Sequence, residues 1–401
     1  MKYLSLSLKQ IKHKQSYVFC LLFIIFCSLL TTACDNSLME RVFGLTTTTF
    51  VTNGGSYIED QTLLRGERAS RPKSPTQDGF YFSGWFEDDG TFQNQWDFDT
   101  PPNRNLRLYA RWINTNHFVE MVLVSGGAFF LGDDLIGDMH DHVMPVTNVR
   151  LSNFYIGKYP VTQEEFYAVM NENPSSFRGN PAPGERQGRR PVDSVTWYDA
   201  IEFANRLSIL TGLHPAYTMQ TAEDSNIWST DPNTWGSPNG FDGRWNAVRM
   251  VAGSDGYRLP TEAQWEFAAK GGTSSDNFRF SGSNNPNEVA WHSGNSVNNG
   301  RRITREVGRL QPNGLGIYDM SGNVWEWVWD WYEAYPGSFI LGIDEHTGPL
   351  TGSERVVRGG SFYNHYDRAR SVYRGREWRP HFVRNGIGFR VARPHLPQPH
   401  P

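Results

Sequence analysis

The chain has 401 residues, enough for two or three folded units at roughly 100–200 residues per domain. Its 38 Lys and Arg face 42 Asp and Glu, a formal charge of -4 that excludes bulk attraction to nucleic acid as an organising principle. Aromatic residues make up 14%, with 39 Gly, 23 Pro and 14 Trp, and so turn-rich a composition excludes a fold dominated by long amphipathic helices.

Residues 1–33 read as an export signal, in which Lys2, Lys9, Lys12 and Lys14 precede an apolar run from Val18 to Leu30. That run is shorter than the ~20 residues a membrane span needs, although an uncleaved N-terminal helix is the alternative. Thr31-Thr32-Ala33-Cys34 then resembles the lipobox of bacterial lipoproteins, departing from it at Thr31, where Leu is preferred. The resemblance implies cleavage before Cys34 and acylation of Cys34. It also implies a tether over 34–45 and a protein exported and lipid-anchored to the bacterial envelope, on its outer surface. All three cysteines, Cys20, Cys27 and Cys34, lie in this region, so residues 35–401 hold no disulfide, zinc site or thiol nucleophile.

Residues 46–112 alternate apolar and polar positions between turn signals, with strands predicted over Thr48–Val51 and Leu106–Trp112 and a hairpin turn at Asn53-Gly54-Gly55. With Gly79-Phe80-Tyr81-Phe82-Ser83-Gly84-Trp85-Phe86 and Leu108-Tyr109-Ala110-Arg111-Trp112, the stretch resembles the small β-grasp-like repeat of internalin and Bacteroides surface proteins. That resemblance implies a spacer or adhesion module. Trp85, Trp96 and Trp112 are expected in its core, because so small a unit has few other large residues to bury.

Residues 119–393 read as one further domain, followed by a tail over 394–401. It opens with Met121 to Leu131, a strand, a tight turn at Gly126-Gly127 and a second strand. Helices are predicted over Thr162–Met170, over Ser194–Leu210 with Ser194 or Thr196 as cap, and after Leu259-Pro260 with Thr261 as cap. In the second, Ala200, Phe203, Ala204 and Leu207 form one stripe. Few helices among many short strands predict an α+β domain with long loops.

These segments come with Phe154-Tyr155-Ile156-Gly157-Lys158-Tyr159-Pro160-Val161-Thr162, Gly256-Tyr257-Arg258-Leu259-Pro260, Gly322-Asn323-Val324-Trp325-Glu326-Trp327, Arg358-Gly359-Gly360-Ser361 and Gly388-Phe389-Arg390. Together they resemble the formylglycine-generating-enzyme family over about 121–393, which implies a C-type-lectin-like fold. The family's oxidases hold copper with two thiolates shortly after Arg-Gly-Gly-Ser. Here Asn364 and Ala369 stand at those positions, and neither supplies the soft sulfur that Cu(I) requires, so no copper and no oxidase chemistry are expected. The resemblance also implies a calcium loop, with carboxylates from Asp319 and Glu326 and carbonyls from Gly322 and Val324, oxygen ligands suited to a structural Ca²⁺. Gln311-Pro312-Asn313 is similar to the sugar-calcium tripeptide of true lectins, though Pro-Asn pairs are common turn formers.

The segment from Gly360 to Arg390 resembles the variable region of lectin-fold proteins diversified by retroelements, as in the variable lipoproteins of treponemes. The resemblance implies variable, ligand-binding positions at Phe362, Tyr363, Asn364, His365, Tyr366, Asp367, Ser371, Tyr373, Gly375, His381, Phe382, Asn385 and Gly386, on a framework of Arg368, Arg370, Arg374 and Gly-Phe-Arg. Composition points the same way, since Tyr, His, Asn, Ser and Gly offer aromatic area beside adaptable hydrogen bonds. Trp378, between Arg376 and Arg379, is a further anchor for a sugar face or a protein pocket.

Between Glu354 and Arg393, ten arginines face three acidic residues, but Arg358, Arg370 and Arg390 match framework positions and are expected in internal ion pairs. Nucleic acid is therefore not an expected partner. The expected partner is a protein or glycan at the cell surface, bound without catalysis. The alternatives are a sulfatase-modifying oxidoreductase and an envelope scaffold. His140-Asp141-His142 reads as an exposed turn, because two imidazoles and one carboxylate do not complete a metal shell.

Overall fold

A computed structural model of the chain describes residues 44–89, 96–114, 118–133, 143–274, 278–336, 343–376 and 378–396. Cys34 and the export signal expected over 1–33, and His140, Asp141 and His142, lie outside these residues. The chain divides into two compact units, meeting between Ile113 and Asn114.

The first unit is a four-stranded sheet built from β1 (Leu45–Val51), β2 (Gln61–Leu64), β3 (Phe80–Phe86) and β4 (Leu106–Asn114), in the order β2-β1-β4-β3. Its two longest-separated strands, β1 and β4, run parallel, Thr48 opposite Leu106 and Val51 opposite Tyr109. Asn53 and Gly54 adopt the left-handed turn conformation that their dipeptide favours. They do not join β1 to β2 as a tight hairpin, because β2 pairs back only from Gln61 and the connection runs from Thr52 to Asp60. Trp85 is buried with Phe50, Phe98 and Leu108, and Trp96 and Trp112 pack against that cluster. Trp112 also ties the connection down, its indole N–H donating to Thr52 O at 2.7 Å.

The second unit mixes short sheets with three helices of eight residues or more among the described residues: α1 (Gln163–Met170), α2 (Trp197–Leu210) and α3 (Glu262–Ala269). Each begins in a capping box, Thr162 with Glu165, Thr196 with Asp199 and Thr261 with Gln264. Thr196 rather than Ser194 caps α2, because Ser194 lies at φ 64 and turns the chain before the helix. The predicted stripe of α2, Ala200, Phe203, Ala204 and Leu207, is wholly buried.

Met121–Val124 and Gly127–Leu131 are strands, yet they part into different sheets, the first pairing with Phe154–Gly157 and the second with Thr147–Leu151. Gly126 permits the parting, since a Cβ there would lie 2.2 Å from Leu151 O. The last strand, Ala392–Pro394, pairs with Phe154–Gly157 on its other side, so the domain's first and last strands flank one central strand. A four-stranded sheet places Trp325–Trp331 between Arg355–Arg358, antiparallel, and Ile387–Phe389, parallel, with Arg374–Gly375 at its edge. This sheet holds both ends of the segment singled out above.

Candidate binding face

The segment 361–387 is held by buried ion pairs on either side. Arg374 donates from Nε (2.6 Å) and Nη2 (2.8 Å) to Glu262 on α3. Arg358 lies on Glu266, one turn along the same helix, and 3.4 Å from Glu262. Arg390 spans Glu326, and Arg370 donates to Asp367 O at 3.1 Å. Arg355 is buried between indoles, 3.7 Å from the Trp197 ring and 3.4 Å from that of Trp331. Five of the ten arginines, Arg355, Arg358, Arg370, Arg374 and Arg390, are thus internal structure, whereas Arg368, Arg376, Arg379 and Arg384 are exposed.

Within that frame the chain is pinned residue by residue. Phe362 N donates to Asn323 O (2.9 Å), and Phe362 O accepts from Ser296 Oγ (2.7 Å). Ser293 N donates to Asn364 O (2.9 Å) and Ser321 Oγ to Ala369 O (2.7 Å). A 3-10 turn over Tyr366–Ala369 carries the intervening residues outward.

The nominated binding residues divide sharply by burial. Phe362 is 2% exposed, its ring set edge-on against Phe177 at 5.0 Å. Ser371 is buried, with its amide donating to Arg279 O. Gly375 lies in the edge strand, where a Cβ would sit 2.4 Å from Val357 Cγ2. Gly386 is buried against the Phe362 ring. These four are framework, because packing leaves them no free surface. Tyr373 is half-buried, 5.8 Å from the Trp325 ring.

Tyr363, at 65% exposure, stands clear, with the Arg302 guanidinium 5.5 Å from its ring. His365 and Tyr366 lie 4.0 Å apart ring to ring, and His365 Nδ1 is 2.9 Å from Asp367 Oδ2. Asn364 is half-buried and accepts from Ser361 Oγ at 2.7 Å. Beneath Tyr366 lies His292, 5.7 Å away; burial, and to a lesser degree the nearby His365, pull its pKa below the usual histidine value, so it is neutral at pH 7. A second group gathers half-buried Trp378, His381 and Phe382 with exposed Asn385. His381 packs on Phe382 at 5.0 Å and on Phe241 at 6.1 Å, and the Arg384 guanidinium lies 5.6 Å from the Trp378 ring.

Arg302, His292, Phe177 and Phe241 come from segments that sequence reading did not attach to this face. Only Arg302 carried a local signal, the Asn299-Gly300 turn that closes the hairpin of Val297–Asn298 and Arg301–Arg302.

The residues nominated for calcium have other partners. Glu326 is wholly buried and gives both oxygens to Arg390 and Oε2 also to Trp265 Nε1 (2.7 Å). Glu326 thus sits in a core ion pair, its carboxylate satisfied by the Arg390 guanidinium and the neutral indole N–H of Trp265. Asp319 accepts from Gly308 N (2.8 Å) and Asn323 Nδ2 (3.2 Å), and burial pushes its pKa up to about 6. Gly322 is pressed against Trp291, and Val324 is buried beside it in the core. Asn313 of the Gln-Pro-Asn tripeptide turns inward, donating to Ala268 O and Ser281 Oγ and accepting from the amides of Leu315 and Ile317. Among the described residues no three His, Cys, Asp or Glu side chains gather as a ligand set.

Residues 111–395 match the sulfatase-modifying factor enzyme 1-like domain. The chain belongs to that family. Its fold is α+β and C-type-lectin-like, and residues 47–111 match the Listeria-Bacteroides repeat domain. Two curated relatives show how far the family's roles diverge. "Chaperone protein LppX" of Paenibacillus barcinonensis is 39% identical over 69% of this chain and 88% of its own. The formylglycine-generating enzyme of Streptomyces coelicolor is 30% identical over 68% and 88%. Among solved structures, Treponema denticola variable protein 1 aligns with a TM-score of 0.59 and 36% identity, over 69% of this chain and 95% of that one. Sulfatase-modifying-factor-like chains thus include an enzyme, a protein named for chaperoning and one named for variability.

Proposed function

We propose that the chain is a non-catalytic binding protein, tethered to the envelope through acylated Cys34, whose lectin-like head captures a protein or glycan through the face at 363–385. One observation carries the reading: within a single segment Phe362, Ser371 and Gly375 are packed into the frame, while Tyr363, His365 and Tyr366 stand exposed on it. A rigid base with large aromatic side chains projecting from it loses little conformational entropy on binding. Catalysis has no support in the side chains available. Asn364 and Ala369 stand where the oxidases keep thiolates, and residues 35–401 contain no cysteine. Likeness to a variable protein supports the finer reading, that retroelement mutagenesis changes the exposed positions between copies of the gene.

Sequencing the 3′ end of the gene across related strains tests this. Codon changes confined to exposed positions such as Tyr363, His365, Tyr366 and Asn385, with a template copy beside a reverse transcriptase, are expected. An unchanging segment with no template removes diversification and leaves a binding protein of fixed specificity. Incubation with copper and a sulfatase-type cysteine peptide is expected to yield no aldehyde, and turnover would overturn the non-catalytic reading.

The 39% identity to a protein named as a chaperone favours a second reading, in which the face holds an exported client during folding. It predicts a higher refolding yield of a client encoded nearby, abolished by Tyr363→Ala with Tyr366→Ala.

A further inference from the structure

We propose that Arg393 marks a second ligand site, a cleft for a small organic molecule carrying a carboxylate or a phosphate, built from residues outside the 363–385 face. On the sheet that joins the domain's first and last strands, Arg393 lies opposite Tyr155, and Tyr155 opposite Leu123, so the three side chains form one outward row. The Arg393 guanidinium sits 4.7 Å from the Tyr155 ring and 6.0 Å from that of Tyr257. Its Nε is closed off from solvent with no hydrogen-bond partner, and among the described residues no carboxylate or carbonyl meets the rest of the fork.

The contrast with its neighbours is chemical. Arg358, Arg374 and Arg390 each lie on a glutamate. Arg393 is held in place by aromatic faces alone, and it opens onto a concavity of about 630 Å³. The other charged groups of that concavity, Glu120 and Lys158, pair with each other at 3.1 Å. Among the described residues, one positive charge of the concavity is left without a counterion. A guanidinium fork fits carboxylate or phosphate oxygens two at a time. The concavity falls within the roughly 300–1,000 Å³ of small-molecule sites, and Val122 and Leu315 give it apolar walls for the body of the ligand.

Calorimetric titration of the full chain at low ionic strength tests the site with four probes: glucuronate, glucose 6-phosphate, glucose and inorganic phosphate. Binding of glucuronate, of glucose 6-phosphate or of both is expected, and which one binds identifies the oxyanion; glucose is expected not to bind. Arg393→Gln is expected to weaken binding at least about tenfold, and Glu120→Gln, which releases Lys158 from its ion pair and takes a negative charge out of the concavity, to tighten it. Thermal melts check that both variants are folded. Three results would overturn the site: neither anionic sugar binding, an unchanged affinity in Arg393→Gln, or inorganic phosphate binding as well as the sugar phosphate, which would mean an adventitious ion only.

Discussion

Arg390 lays its guanidinium across both oxygens of Glu326, at 2.6 and 2.7 Å, with neither side chain exposed. The remaining donors of the fork reach Gly157 O and Tyr318 O, so the pair ties the four-stranded sheet to the strand between the domain's first and last strands. Removing one partner leaves the other charge buried and uncompensated. Glu326→Gln is expected to destabilise the domain by about 3–5 kcal/mol, read as a lower urea midpoint with an unchanged slope.

The same pair bears on calcium. Because Glu326 is held by Arg390 and Trp265, and Asp319 by Gly308 and Asn323, chelation is expected to leave stability unaltered. A melting temperature within about 1 °C with and without EGTA is the expected result, whereas a site coupled to folding would move it by several degrees.

Asp330 gives the fold a pH dependence. Its Oδ2 accepts from Glu262 N at 2.7 Å, its Oδ1 makes no hydrogen bond and lies 3.7 Å from His346 Nδ1, and burial with the Glu262 charge nearby pushes its pKa from 3.8 up to about 8. The folded state therefore holds this proton more tightly than the unfolded chain does. Its contribution to stability is fully present below pH 3.8 and is lost as pH rises to about 8, at up to about 1.4 kcal/mol per pH unit. Asp330→Asn, which needs no proton, is expected to gain on the wild type through that window, as denaturant melts from pH 5 to 9 would show.

The division of the binding segment into base and face predicts unequal costs for adjacent residues. Phe362→Ala empties a site packed on Phe177 and is expected to cost about 3–5 kcal/mol. Tyr363→Ala, next in the chain, is expected to stay within about 0.5 kcal/mol while weakening partner binding. Chemical denaturation of the two variants side by side decides this; equal losses would return Tyr363 to the frame.

Local chemistry made parts of this legible in the sequence. Thr162, Thr196 and Thr261 precede helices because Ser/Thr-x-x-acid/amide spacing is a contact between near neighbours, and the α2 stripe follows from helical period. The division of 361–387 was not legible, since Phe362 and Tyr363 differ by one hydroxyl and their burial is decided by Phe177, Asn323 and Ser296, all distant in sequence. The Arg390 that pairs with Glu326 was hidden for the same reason, lying 64 residues away.

Gly375 brings the frame and the question of variability together. The resemblance to retroelement-diversified proteins places it among changeable positions, yet a Cβ there would lie 2.4 Å from Val357 Cγ2 and 3.2 Å from Trp378 Nε1 and Val357 O. The edge strand Arg374–Gly375 sits against Arg355–Arg358, and Arg374 must stay on Glu262 for the segment to be held. The strand has little room to shift outward. Gly375→Ser is expected to cost about 1–3 kcal/mol through overpacking, with a lowered melting temperature. Strain sequences that differ at Tyr363 or His365 are expected to keep glycine at 375, and a bulky residue there in a stable natural copy would show that the strand yields where its packing says it should not.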